Sequence, residues 1–241
     1  MRPTTERDAA VRPAPLTRLS LALAVRALAE RDPGLAAIVA RHGPPPLWAR
    51  RPGFATLARI ILEQQVSLAS AAALYRRVGG ELPGGWTAAS VLLVGEAGLR
   101  ARGLTRQKAR YVAELAARVD GGALRLAQLA RLPDDEARDA LTALPGIGPW
   151  TAGIYLLMAL RRPDVWPPGD LALHAALARL HRLPRPPAAE EATRLAAAWA
   201  PHRAVAARIL WHGYLSERAA MTADGARRPA RPPPCTREPS S

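Results

Sequence analysis

The chain has 241 residues, 49% of them apolar, a formal net charge of +14 and one cysteine. That length can bury a substantial core as one domain or two small ones, and one cysteine excludes internal disulfides, cysteine-ligated zinc and an iron–sulfur centre. No apolar run approaches the roughly 20 residues of a membrane span, and no apolar signal-peptide core precedes Leu19.

Ala, Leu and Arg dominate, β-branched residues are sparse and apolar spacing of 3.6 recurs, which reads as an all-α fold. The termini account for five of the fourteen net charges, so nine fall on the body of the chain. A basic body points to a polyanionic partner. Coding bias toward Arg explains why Lys108 is the only lysine, but not the excess over acids.

In chain order, residues 1–18 are charged and proline-bearing and are expected to be a disordered basic N-terminus. Residues 19–225 are expected to fold as one helical domain. Leu19–Glu30 and Gly34–Arg41 read as helices, closed by Pro44-Pro45-Pro46. Pro52–Ile61 opens the first major helix, with Phe54, Leu57, Ile60 and Ile61 at helical spacing. Ser67 is the expected cap of a second helix that Gly79-Gly80 would stop. Glu63, between the two, reads as a solvated helix end, with a second acid near the cleft as the alternative. Thr87 and Thr105 are further caps, for Ala88–Val94 (with Glu96–Arg102 as a separate short piece) and for a helix ending at Gly121-Gly122. Short segments at Leu124–Leu129 and Pro133–Ala143 follow. Helices are then expected over Leu171–His181, Pro187–Trp199 and His202–Arg218. Residues 226–241, which include Cys235, read as a disordered basic Pro-rich tail.

The chain turns on Leu141–Asp170. After an apolar turn (Leu141, Leu144), Pro145-Gly146-Ile147-Gly148 makes a tight turn, and both glycines are expected to use positive φ and let a ligand approach. Pro149 suits the first position of a helix, Trp150–Leu160. The unpaired N–H groups of that helix start can bind a phosphate. Pro167-Pro168-Gly169 then delivers a lone acid, Asp170, to the start of another helix.

Leu144-Pro145-Gly146-Ile147-Gly148, Thr151-Ala152 and Pro167-Pro168-Gly169-Asp170 together resemble the helix-hairpin-helix, Gly/Pro-Asp superfamily of DNA glycosylases. Three further stretches are similar to its DNA-3-methyladenine glycosylase II branch: Ile60 to Ser67 (IILEQQVS), Gly103 to Ala109 (GLTRQKA) and Trp199 to Arg203 (WAPHR), with Trp211 beyond. The resemblance covers about Arg50–Arg218 and implies a short form without the β-containing N-terminal domain. It implies two helical lobes with the active-site cleft between them, the first helices packing with the C-terminal ones and the hairpin (about 138–160) belonging to the other lobe. It also implies a monomer acting on double-stranded DNA with a damaged base, with no membrane role and a cytoplasmic, nucleoid-associated place if the source is bacterial.

By the same resemblance, Asp170 is the catalytic acid residue, and Trp150, Trp211 and Tyr155 border the base pocket, Tyr155 alternatively being core. Gly146, Gly148, Ile147, Thr151, Gln64, Gln65 and Lys108 would contact DNA. Gln65 matches the residue that fills the gap left by the extruded nucleotide; Gln64-Gln65 as a plain polar turn is the alternative. No cofactor is required, though a monovalent cation (Na+ or K+) on the carbonyls of Thr142, Leu144 and Ile147 is implied. Trp166 would pack the Pro-Pro-Gly-Asp loop, and Trp199 and Arg203 would be structural. His174 and His181, two turns apart, have no third ligand and read as solvated.

A glycosylase flips its target out of the stack and stabilises positive charge at the sugar C1′ with a carboxylate. One carboxylate suffices if the leaving base is already cationic, as alkylated purines are, and indoles stack well on such a ring. Bifunctional relatives carry a lysine where this chain has Trp150. The expectation is therefore hydrolytic release of 3-methyladenine- and 7-methylguanine-type bases without lyase activity. Excision of uracil, hypoxanthine or an oxidised purine, and a non-catalytic DNA-gripping protein, remain as alternatives.

Overall fold

The computed structural model describes residues 14–227, and among these it contains twelve α-helices and no strand. Residues 1–13 and nearly all of the expected tail at 226–241, Cys235 included, lie outside them. Residues 14–18 depart from the expected disorder. Leu16 is buried and its N–H donates to the Arg161 carbonyl at 2.7 Å. One apolar side chain and one backbone bond suffice to dock the strand of chain that leads into Thr17. Thr17 and Ser20 then exchange hydrogen bonds as a capping box for α1, Arg18–Arg31.

Asp32 caps α2 (Pro33–His42), accepting from Gly34 and Leu35 N–H, with Pro33 at the first helical position. The major apolar helix α3 (Phe54–Glu63) follows, then α4 (Leu68–Glu81), capped by Ser67. Gly79-Gly80 does not stop α4. Gly79 is there because a Cβ would lie 2.8 Å from the Trp86 indole, which stacks on Tyr75 at 5.0 Å. The two short helices expected on either side of Gly95 are present as the two arms of α5 (Ala88–Ala101), separated by a break where Gly95 takes a φ of 65°. Thr105 caps α6 (Arg106–Asp120), which ends at Gly121-Gly122. Then come α7 (Leu126–Leu129), α8 (Asp134–Thr142), α9 (Pro149–Ile154), α10 (Leu171–Leu180), α11 (Ala189–Ala196) and α12 (Arg203–Arg227).

The expected three-turn helix from Trp150 to Leu160 is divided. After Ile154 the chain widens into a π-helical turn, Tyr155–Ala159, with Leu160 N–H bonded back to the Tyr155 carbonyl. Leu157 and Met158 carbonyls then face outward, accepting from Arg208 Nη2 at 2.7 Å and from Arg50 N–H at 2.9 Å. π-turns recur at functional sites, and here the turn joins two lobes.

One lobe is built around α3, packed against α4, α6 and α9, with α5 on α6 and α8 on α9. The other packs α12 against α1, α2 and α10. The first helices thus join the last ones, and the hairpin lies opposite them. A continuous apolar core runs through both, from Leu28 to Leu210. Several polar groups buried within it are paired, while Trp166 Nε1 and His174 Nε2 have no hydrogen-bond partner among the described residues. Arg162 bonds the Ala130 and Leu132 carbonyls and pairs with Asp134, whose carboxyl burial pushes upward. Arg203 forks onto Asp164, and Trp199, buried beside Trp166, donates to Asp32 Oδ2 at 2.7 Å. Trp199 and Arg203 are therefore structural, as the sequence suggests, and Trp166 is buried at the foot of the Pro-Pro-Gly-Asp loop.

Asp32 serves α2 and Trp199 together. Asp32→Ala should lower unfolding free energy by about 2 to 3 kcal/mol, from a lost cap and an orphaned indole N–H. Urea unfolding followed by tryptophan fluorescence measures this; a loss under about 0.5 kcal/mol would mean that water replaces both partners.

Candidate active site

Asp170 ends the Pro-Pro-Gly loop and begins α10. Its Oδ1 accepts the Leu173 N–H at 2.9 Å, so the carboxylate is the cap of that helix. Two indoles meet the same group. Trp150 Nε1 donates to Oδ2 at 2.9 Å and Trp211 Nε1 to Oδ1 at 3.0 Å. A carboxylate offers about four lone-pair positions. Oδ1 is saturated by two donors, and Oδ2 keeps one position open toward a cleft of about 1480 Å³ between the lobes. Trp150, Trp211 and Asp170 all line this cleft. Three residues separated by 20 and 41 positions in the chain thus converge on one carboxylate.

The hairpin forms the opposite rim. Gly146 has a φ of 78°, and a Cβ there would lie 2.2 Å from the Tyr111 ring. Gly148 differs from expectation. Its φ is −86° and a Cβ would meet nothing within 4 Å, so only one of the two glycines is required by the fold. Pro149 holds the first helical position of α9. The N–H groups of Gly148, Trp150 and Thr151 bond to nothing among the described residues, so the helix start presents open donors. Ile147 does not join them: its N–H is bonded to the Leu144 carbonyl at 3.1 Å and its side chain is buried. Thr151 offers its N–H only, since its side chain is buried and its Oγ1 accepts from Gln64.

Gln64, Gln65 and Lys108 separate in role. Gln64 Nε2 donates to the Gly146 carbonyl at 2.9 Å and to Thr151 Oγ1 at 2.8 Å, so it braces the hairpin from behind and does not face outward as a DNA contact. Lys108 Nζ donates to the Leu62 and Gln64 carbonyls at 2.8 and 2.9 Å. It closes the C-terminus of α3, where carbonyls lack helical partners, rather than standing free as a DNA contact; partial burial lowers its pKa. Gln65, between them, is exposed with a φ of 56° at the cleft mouth, a conformation few non-glycine residues adopt.

Three further residues depart from their first reading. Tyr155 lies outside the pocket, in the core place left open as its alternative: it is fully buried and its hydroxyl accepts the Gly53 N–H at 3.0 Å. Its hydroxyl pKa is raised, chiefly by burial. Glu63 is no solvated helix end. Arg50 forks onto both its oxygens at 2.8 and 3.0 Å, and Arg59 adds a bond at 3.0 Å. His174 is also buried rather than solvated, and no cluster of metal-binding side chains forms among the described residues. Sequence reasoning missed Trp48, Arg50, Tyr111 and Met158 on the cleft wall. Tyr111 lies on α6 and Trp48 and Arg50 just before α3, but Met158, in the π-turn, carried no such signal.

A family model described as the HhH-GPD superfamily base excision DNA repair protein matches residues 58–202. The chain belongs to the HhH-GPD superfamily. The matched span holds the hairpin, the Pro-Pro-Gly-Asp loop and Trp150, and leaves Trp211 and the segment before α3 outside. A Bacillus subtilis protein provisionally named a DNA-3-methyladenine glycosylase is 28% identical over 184 residues, 73% of this chain and 64% of that one. The chain thus spans just under two thirds of that relative's length. Among solved HhH-GPD relatives, the 3-methyladenine DNA glycosylase of Schizosaccharomyces pombe, in complex with abasic DNA, superposes with a TM-score of 0.67 at 25% identity, over 76% of this chain and 89% of that one. A DNA-3-methyladenine glycosidase from Bacillus halodurans gives 0.68 at 27%, over 81% and 91%.

If Lys108 supports the α3 turn, Lys108→Met should cost about 2 kcal/mol of stability and leave the salt dependence of DNA binding unchanged. A log–log salt slope shallower by about one would show a lost phosphate contact instead.

Proposed function

We propose that this chain is a DNA N-glycosylase of base excision repair that hydrolytically releases alkylated purines of the 3-methyladenine and 7-methylguanine type. The observation that carries this reading is the Asp170 carboxylate, fixed by Trp150, Trp211 and the Leu173 N–H, with one lone pair of Oδ2 turned to the interlobe cleft. The named glycosylase relatives support it.

The target nucleotide leaves the stack and enters the cleft. Gln65, exposed at the mouth on a left-handed turn, fills the space it vacates. The hairpin N–H groups of Gly148, Trp150 and Thr151 hold a backbone phosphate, aided by the helix start. As the C1′–N bond breaks, its electron pair leaves with the base, which was cationic and departs neutral. Positive charge develops on the sugar, and Oδ2 of Asp170 faces it. Water then adds at C1′, and its proton passes to the carboxylate. The products are the free base and an abasic site. An alkylated purine needs no second acid because its leaving group already carries the charge.

No lyase step follows. That step needs an amine, position 150 is an indole, and the only lysine has two of its donors committed to carbonyls. The carbonyls of Thr142, Leu144 and Ile147 would hold a monovalent cation: they are hard oxygen donors, and those of Thr142 and Ile147 accept no hydrogen bond among the described residues, while that of Leu144 accepts the Ile147 N–H. A cation held there would add positive charge beside the phosphate. No helix of the described residues is long and apolar enough to cross a membrane.

Asp170→Asn should reduce base release from methylated duplex DNA by at least about 100-fold, with duplex affinity retained. Free-base chromatography with a parallel strand-integrity gel reads both; near-normal release would remove Asp170 from the chemistry, and cleavage without alkali would refute the monofunctional assignment. Gly148→Ala should fold normally, since its Cβ meets open space, yet weaken binding to damaged and undamaged DNA alike. Unchanged affinity on an electrophoretic titration would refute the close phosphate approach.

A further inference from the structure

The segment Leu47–Gly53, between α2 and α3, is neither helix nor strand. It is nevertheless held at three points. Arg208 Nε donates to the Leu47 carbonyl at 3.0 Å. Arg50 donates its N–H to the Met158 carbonyl and its guanidinium to Glu63. Gly53 N–H donates to the Tyr155 hydroxyl. Arg208, Glu63 and Tyr155 are all buried. Arg208 bonds two more carbonyls, of Ala204 and Leu157, and burial lowers its pKa to about 10, so it is still a cation at neutral pH. Removing a guanidinium and a carboxylate from water is costly unless both are fully bonded. Here that bonding converges on a short connection.

The connection carries Trp48. This residue has a φ of 47°, strained for a bulky side chain. Its indole lines the cleft and meets Trp211 edge-on, at 6.4 Å and 69°, and His212 at 6.3 Å and 65°. Trp150 and Trp211 have their N–H edges tied to Asp170, so their planes are set by the carboxylate. Trp48 has no such tie among the described residues. It stands beside Trp211 with its ring in the cleft.

We propose that Trp48 is a specificity-determining wall of the base pocket that stacks on the extruded purine, and that Arg208, Glu63 and Tyr155 are positioning residues for the segment presenting it. This rests on the glycosylase reading. A flat, electron-poor alkylated purine is the ligand class such an indole favours.

The test compares the wild-type chain with Trp48→Ala, Trp48→Phe and Tyr155→Phe. Calorimetric titration with free 3-methyladenine reads the pocket, single-turnover release from methylated duplex reads the reaction, and thermal melting checks the fold. Trp48→Ala should weaken free-base binding about ten-fold, the size of one lost base–aromatic stack, and slow release, with undamaged-duplex affinity unchanged. Trp48→Phe, which keeps a stacking face, should stay within about three-fold of wild type. Tyr155→Phe should shift free-base binding the same way as Trp48→Ala, by less. If Trp48→Ala binds the free base as wild type does while wild type excises it, the inference is overturned and the glycosylase reading stands. If wild type neither binds nor releases any alkylated base, both fall together.

Discussion

The Asp170 carboxylate belongs to both lobes. Trp150 reaches it from the hairpin side, Trp211 and Leu173 from α12 and α10, and the group itself hangs on the loop between. One functional group therefore ends a loop, starts a helix, sets two ring planes and bonds the lobes at the floor of the cleft. Its orientation is not added to the fold after the fact. A helix cap contributes about 1 kcal/mol, and the indole bonds are buried or half-buried, where an unmet donor would be costly. The same bonds that stabilise the seam aim the carboxylate.

The basic excess has two destinations. Part of it serves the interior: Arg208 is buried on three carbonyls, Arg162 on two carbonyls and Asp134, and Lys108 on two carbonyls at the end of α3. Apart from the Ala204 carbonyl, which lies within α12, each of these cations supplies donors where the backbone ends or leaves helical geometry. A net charge of +14 thus overstates the field offered to a polyanion. What remains on the surface still favours one, and the open N–H groups at the start of α9 add a local site that no formal charge records.

How much of this could be read in the sequence follows from the range of each interaction. Caps act over three residues, so Ser67, Thr87 and Thr105 were legible as helix starts, and Asp170 was legible from its distance to the hairpin. Trp150 and Trp211 were placed by resemblance, but their joint bonding to one carboxylate was not foreseen. Errors gathered where a side chain's partner is remote. Glu63 finds Arg50, Gln64 finds Gly146 and Thr151 some 82 and 87 residues on, and Lys108 finds carbonyls 44 and 46 residues away. Tyr155 takes the core place that the sequence left as an alternative: five residues past Trp150, it lies about 140° around an α-helix from that indole and faces inward. Gly79 shows the limit of treating glycine as punctuation, since the residue was there to admit Trp86.

The bond between Trp150 and Asp170 also bears on how such an enzyme changes over generations. An amine at position 150 is what a strand-cleaving relative would require. In this chain that amine would arrive only by deleting the N–H that occupies one side of Oδ2. Any side chain that replaced the indole would have to supply its own donor to Oδ2, from a different place and with a different reach, for the carboxylate to keep its aim. Trp150 and Asp170 are in that sense a single unit of change: neither can be altered without redefining the other.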